Sequence, residues 1–215
     1  MWDTYRDVAS LYFKNAKICV DSFHVVNLIN RAFTQVRIRI MKSYKTDSEE
    51  YYLLKKFVWI LSKDYANIPK NQMITIKKHI SFLYRKSIHA TSLVNSIISI
   101  NGELETAYTL KDEFLTINRT STPANIEDRL NEYIDELLLF QIPEFISVAK
   151  TLKKWRQKII NSFDTFDNRR ISNGPVESVN SRIKLIKTSG NGYSNFERFR
   201  KRVLYSLNSD SSIKF

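Results

Sequence analysis

Cysteine, glycine, proline and histidine are all scarce: one Cys, four Gly, four Pro and three His in 215 residues. Cys19 has no second cysteine to pair with and lies in the apolar stretch Ala16-Lys17-Ile18-Cys19-Val20, so it is expected to act as a small buried hydrophobe. His24, His79 and His89 lack the spacing of a zinc site. No stretch approaches the roughly eighteen consecutive apolar residues of a membrane helix, and no leading segment has the order of a secretory signal. These absences argue against a disulfide-stapled secreted domain, a zinc module and a helical membrane protein, and the expectation is a soluble intracellular chain. With 43% apolar residues and few helix breakers, the length suits one full core, or a large and a small unit, built mostly from helices.

Charge is plentiful and unevenly placed. The net charge is +12, from 34 Lys/Arg against 22 Asp/Glu. Residues 1–86 carry 16 basic and 7 acidic side chains, residues 87–149 carry 3 and 10, and residues 150–205 carry 14 and 4. Two basic blocks flank an acidic one. A basic surface attracts polyanions such as nucleic acid. Solvated helix faces in a lysine-rich protein account for the total but poorly for the partition.

The most informative stretch is Ser172 to Lys187, S-N-G-P-V-E-S-V-N-S-R-I-K-L-I-K. Asn173-Gly174 signals a turn, and Pro175 presets φ for the first turn of a helix. Val176, Val179, Ile183 and Ile186 recur at helical spacing and predict a buried stripe. Glu177, Ser181, Arg182 and Lys184 fall on or beside the other face. A carboxylate in the first turn suits the helix dipole, and the basic turns behind it suit a metal ligand that faces a phosphate backbone. An ordinary first-turn glutamate is the alternative on this stretch alone.

A second candidate lies near the start. Ala16–Val20 reads as a short apolar strand, and Asp21-Ser22-Phe23-His24-Val25-Val26 leads into a helical pattern through Phe23, Val26, Leu28, Ile29, Ala32, Phe33 and Val36. Asp21 thus sits where a strand ends and a helix begins, a usual place for chemistry in α/β folds. A plain N-cap aspartate is the alternative.

Further along, helices are expected from Phe23 to Tyr44, with Arg31, Arg37, Arg39 and Lys42 outward, and from the Thr46–Glu50 cap through Leu61. A break at Asn67–Asn71 precedes a helix from Met73 to Tyr84, and residues 45–145 are expected to hold no sheet. Acidic helices follow over Glu103–Leu115 and Ile126–Phe140, around a loop at Ser121–Ala124. A helix opening at Pro143 has a basic outer face formed by Lys150, Lys153, Lys154, Arg156 and Lys158. Before Asp21 the chain reads as one amphipathic helix (Trp2, Tyr5, Val8, Ala9, Tyr12, Phe13) and the short strand.

Together, D-S-F-H-V-V and N-G-P-V-E-S-V-N-S-R-I-K resemble two signature segments of the DDE transposases of bacterial insertion sequences, in the branch named ISL-three. The family pattern is D-x-F-H-V at the second catalytic acid and N-G-x-x-E-x-x-N-x-x-I-K at the third. The resemblance extends through Glu103–Phe114, Trp155-Arg156-Gln157-Lys158-Ile159 and Gly190-Asn191-Gly192-Tyr193-Ser194-Asn195-Phe196-Glu197-Arg198-Phe199, spanning about Trp2 to Leu204.

The resemblance implies DNA transposition by phosphodiester hydrolysis and strand transfer, with Asp21 and Glu177 as two of three carboxylates that hold Mg²⁺. Around them, His24 is expected to orient the carboxylate or touch the backbone, with packing as the alternative. Asn173 and Gly174 present Glu177, Asn180 supports it, and Arg182, Lys184 and Lys187 contact DNA phosphates. The family's first aspartate belongs on an upstream strand of a ribonuclease-H-like sheet. Asp3 and Asp7, on a helix, do not replace it. The expected fold is therefore mostly α: a partial ribonuclease-H-like α/β core (residues 1–44, with the second acid, and 146–205, with the third) interrupted by an all-helical insertion over residues 45–145, then a tail over 206–215. The expected identity is a C-terminal part of a transposase, inactive alone, in the bacterial cytoplasm at the nucleoid. Its partners would be DNA and the upstream part of the enzyme or a second protomer, with no membrane. The alternative is a non-catalytic basic helical protein that binds DNA or regulates.

Overall fold

The computed structural model describes residues 3–77, 85–166 and 169–208. The chain is mostly helical and divides into two compact units, Met1–Ile171 and Ser172–Phe215.

The first unit starts with α1 (Asp3–Tyr12), whose Val8, Leu11 and Tyr12 are exposed, as is Phe13 after it. Trp2 of the expected apolar face lies outside the described residues. Residues 16–20 form no strand, contrary to expectation. Their hydrogen bonds go to a helix end instead: the Val20 N–H donates to the Lys158 carbonyl at 3.0 Å, and Asn161 Nδ2 donates to the Ile18 carbonyl at 2.9 Å. Backbone polar groups need partners, and here the last turn of a helix supplies them.

Helix α2 (Ser22–Met41) buries Val25, Ile29, Ala32, Phe33, Val36 and Ile40, a stripe at three- and four-residue spacing. It differs from the sequence expectation in two places. Phe23 is exposed, and Arg37, expected outside, is buried with Nη1 donating to the Leu54 carbonyl at 2.5 Å. Helix α3 (Glu49–Lys56) is capped by Ser48, which accepts from the Tyr51 N–H, and a break at Phe57 separates it from the short α4 (Val58–Leu61).

The expected helix from Met73 is instead strand β1 (Met73–Lys77), paired antiparallel with β2 (Arg85–His89) so that Met73 faces His89 and Ile74 faces Ile88. From Ile74 on, I-T-I-K alternates apolar and polar side chains, and the strand is β-branched at its centre, which favours a half-buried strand. Ile74 points inward and Thr75 outward. Among the described residues of 45–145, where no sheet is expected, β1 and β2 thus form a two-stranded antiparallel sheet. His79 and the rest of the expected helix, 78–84, lie outside the described residues.

Helices α5 (Ala90–Ile98), α6 (Gly102–Thr120), α7 (Ile126–Leu139) and α8 (Pro143–Asn161) complete this unit. Helix α2 packs on α6 and α8, and α7 packs on α8, so the helices of the expected insertion share one core with α2 and α8. The acidic and basic blocks of the sequence meet here. Arg39 on α2 holds Glu103 (2.7 Å) and Glu144 (2.8 Å), and Arg156 on α8 holds Glu127 (2.7 Å). A two-residue pair of strands, β3 (Thr165–Phe166) and β4 (Arg169–Arg170), closes the unit.

The second unit is a helical hairpin of α9 (Gly174–Ser189) and α10 (Phe196–Asn208). The connecting turn needs its glycines. Gly192 has φ of +89°, and a Cβ on Gly190 would lie 2.8 Å from the Tyr193 ring. The buried stripe expected on α9 is not observed: no α9 residue is buried, and Val176 is 61% exposed. Helical periodicity identifies the apolar face, but burial requires a second surface against it.

Candidate functional site

Asp21 is the N-cap of α2, accepting the Phe23 N–H on Oδ1 at 2.8 Å, and is half-buried. The cap role and a ligand role are compatible, because a carboxylate has several lone pairs. His24 is exposed, and its ring stands edge-on to Phe23 with centroids 5.9 Å apart.

Asp21 is held in place by the end of α8. Besides the Val20 and Ile18 bonds, Lys17 pairs with Asp164 just beyond that helix, and the Cys19 thiol lies against the Asn161 carbonyl. Cys19 is half-buried, and burial raises its thiol pKa, with the neighbouring Asp164 charge adding to the effect. This disfavours the thiolate and fits the packing role expected of it.

Arg170 was not anticipated from the sequence. Its Nε donates to the Ser162 carbonyl at 3.0 Å and its Nη1 to the Asn118 carbonyl and Oδ1, both at 2.9 Å. The guanidinium carbon lies 3.5 Å from the centre of the Phe163 ring. Burial lowers its pKa, and the nearby Asp21 carboxylate opposes that shift. The available signal was the Arg169-Arg170 pair in a connecting segment.

In the second unit Asn173 precedes α9 in a helical conformation and accepts the Glu177 N–H on its carbonyl at 2.9 Å. The Gly174 N–H donates to Ser172 Oγ at 3.3 Å, which tightens the turn ahead of Pro175. Glu177 and Asn180 are exposed on the first turns. Arg182 Nη2 donates to the Ser206 carbonyl at 3.3 Å, which ties α9 to α10 and gives Arg182 a structural duty beside its expected phosphate contact. Lys184 and Lys187 are exposed and line an open concavity of about 530 Å³ with Thr188, Asn191 and Gly192. Arg198, Arg200, Lys201 and Arg202 add positive charge on α10. Of the residues singled out in the sequence, Asp21 and His24 fall in the first unit and Asn173, Gly174, Glu177, Asn180, Arg182, Lys184 and Lys187 in the second.

Asp21 and Glu177 offer the hard oxygen donors that Mg²⁺ takes. Among the described residues, however, no three His, Cys, Asp or Glu side chains converge as a cation site. Among the described residues, too, no helix is long and apolar enough to cross a membrane.

A curated protein from Bordetella parapertussis, the transposase for insertion sequence element IS1001, is 23% identical over 204 residues, covering 94% of this chain and 45% of that protein. Another, from Lactococcus lactis subsp. lactis and named an ATP-dependent protease, is 21% identical over 186 residues, covering 81% of this chain and 57% of its own length. The chain thus spans about half the length of the curated relatives it matches. No solved structure matches. The ISL-three family model, described as a transposase, matches residues 1–203, including both signature segments. The chain belongs to the ISL-three family of DDE transposases.

Proposed function

We propose that this chain supplies two of the three carboxylates of a DNA transposase, Asp21 and Glu177, together with a basic helical hairpin that grips the DNA backbone. The observation that carries the reading is the presentation of Glu177. It stands exposed on the first turn of α9, with Lys184 and Lys187 exposed further along the same helix. An exposed acid followed by exposed cations suits a phosphodiester: the cations hold phosphates, and the acid remains open to the reacting group.

Asp21 contributes a carboxylate whose backbone is fixed at both sides, by the α2 cap and by the end of α8. Fixed ligands help phosphoryl transfer because the chemistry depends on positioning and charge stabilisation. In the completed enzyme the cofactor is Mg²⁺, which would supply activation of the nucleophile and stabilisation of the leaving oxygen. The third carboxylate would come from an upstream segment or a second protomer, within a ribonuclease-H-like core that residues 45–145 interrupt as an insertion. Alone, these 215 residues bind DNA without cutting it, and in the cell they act in the bacterial cytoplasm at the nucleoid. The ion pairs that join the acidic helices to α2 and α8 leave the exposed cations of α8, α9 and α10 for DNA.

The exposed cations of α8, α9 and α10 also fit a second reading, a non-catalytic basic protein that grips DNA. Both readings require DNA binding, which is tested by titrating a labelled duplex across a range of salt concentrations. Log affinity should fall linearly with log salt, by about 0.9 per phosphate neutralised. Replacing Lys184 and Lys187 with Glu should flatten the slope by roughly two contacts. An unchanged slope would move the DNA face to Lys150–Lys158 on α8. Rescue of cutting by an upstream polypeptide separates enzyme from binding protein.

A further inference from the structure

We propose that Arg170 contacts the DNA phosphodiester beside Asp21 as a positioning residue of that site. The inference rests on the reading that the chain binds DNA, and it begins with the last turn of α8. That turn accepts the Val20 N–H at Lys158, reaches the Ile18 carbonyl through Asn161, and accepts Arg170 Nε at Ser162. The residue before Asp21 and the guanidinium of Arg170 are thus pinned to the same five residues of one helix end. Asp21 and Arg170 lie within electrostatic reach of each other as a result.

Among the described residues, the acceptors that hold Arg170 are neutral: two backbone carbonyls and one amide oxygen. They satisfy Nε and Nη1, and the Phe163 ring covers one face of the guanidinium. None of these bonds uses Nη2 or cancels the charge. Placing a cation in a half-buried position costs free energy unless an anion stands near it. A neutral side chain of similar shape would tie the loop to α8 without that cost. Asp21 offsets part of the charge, and an incoming phosphate would offset more. A bare carboxylate repels a phosphodiester, so a fixed guanidinium next to Asp21 lets the backbone approach it. Arginine suits the task better than lysine: its planar fork remains oriented by Ser162 and Asn118 while its outer edge engages an anion.

The test uses the full 215-residue chain and a labelled random-sequence duplex, with anisotropy read across salt and folding checked by circular dichroism. Arg170→Gln should reduce the salt slope by about one, the loss of a single phosphate contact, with affinity at low salt several-fold weaker. Arg170→Lys keeps the charge but loses the fork. It should retain the wild-type slope and still bind at least about threefold more weakly. A folded Arg170→Gln variant with a lowered melting temperature and an unchanged slope would make Arg170 a purely structural tie and overturn the inference. If Arg170→Gln does not fold, Arg170→Lys decides: wild-type affinity in that variant overturns it. Failure of the wild-type chain to bind any duplex would remove the DNA reading as well, and that failure shows before any variant is made.

Discussion

Two charged residues of α6 are packed where charge is costly. Lys111 is fully buried, with Nζ donating to the Leu61 carbonyl at 2.9 Å and the Lys63 carbonyl at 2.7 Å, and it lies 4.1 Å from the Tyr108 ring centre. It closes the end of α4, whose last carbonyls would otherwise be unpaired. Burial lowers its pKa to about 8. Two residues on, Glu113 is pushed up to about 7, first by burial, then by a hydrogen bond and like charge from Glu136, with Glu132 adding and Arg129 opposing. A carboxyl raised from 4.5 to about 7 binds its proton more tightly in the folded state. Its contribution to stability is therefore full below the unfolded value and is lost as pH rises through 7. Glu113→Gln should raise the melting temperature at pH 8, by on the order of 1 kcal/mol after allowing for solvent screening, or roughly 2–4 °C for a chain this long. At pH 4 the difference should nearly vanish. An equal gain at both pH values would place the effect elsewhere than in this proton. Neither residue was legible in the sequence. Lys111 and Arg37 fall on the buried stripes of α6 and α2, where residue type alone argues for solvent, and only the structure shows that their long stems reach carbonyls of neighbouring elements.

At the scale of elements, the sequence identified most helices because their apolar spacing is strong and their caps are chemically distinct. Asp21, Ser48 and Asn101 each accept a first-turn N–H, and each precedes a periodic run. Two elements were misread for different reasons. Met73–Lys77 is too short for periodicity to separate helix from strand, and its Ile-Thr-Ile centre decided for the strand. Residues 16–20 are mostly apolar, but their backbone partner is the end of α8, a contact 143 residues away in sequence that no local pattern encodes. Helix α9 illustrates a third limit, since periodicity reveals an apolar face without naming what it meets. Replacing Val176 and Val179 together with Ser should change the unfolding free energy of this chain by less than about 1 kcal/mol, as at surface positions. Leu104→Ala, at a fully buried site, should cost about 2–5 kcal/mol. Urea titration measures both, and comparable losses would mean that the α9 face is buried in solution.

Across the whole molecule, the charge partition seen in the sequence resolves into two kinds of contact. Part of the positive charge is consumed internally, by Arg39 with Glu103 and Glu144, by Arg156 with Glu127 and by Arg119 with Asp64. Other cations stand outward, among them Lys150 and Lys153 on α8, Lys184 and Lys187 on α9, and Arg198, Lys201 and Arg202 on α10. The candidate acids were legible because each sits beside a helix start marked by distinctive residues, D-S-F-H at one and N-G-P-V-E at the other. Arg170 was not, because its meaning depends on which helix end it binds. The proposal gives this chain two acids of a three-acid centre, Asp21 and Glu177. The most direct test incubates the purified 215 residues with a labelled duplex and Mg²⁺ or Mn²⁺, alone and with a polypeptide that supplies the upstream strands and their aspartate. Binding without cutting is expected of the chain alone, and cutting in the mixture that is lost with Asp21→Asn or Glu177→Ala. Metal-dependent cutting by the chain alone, abolished by Glu177→Ala, would contradict the proposal.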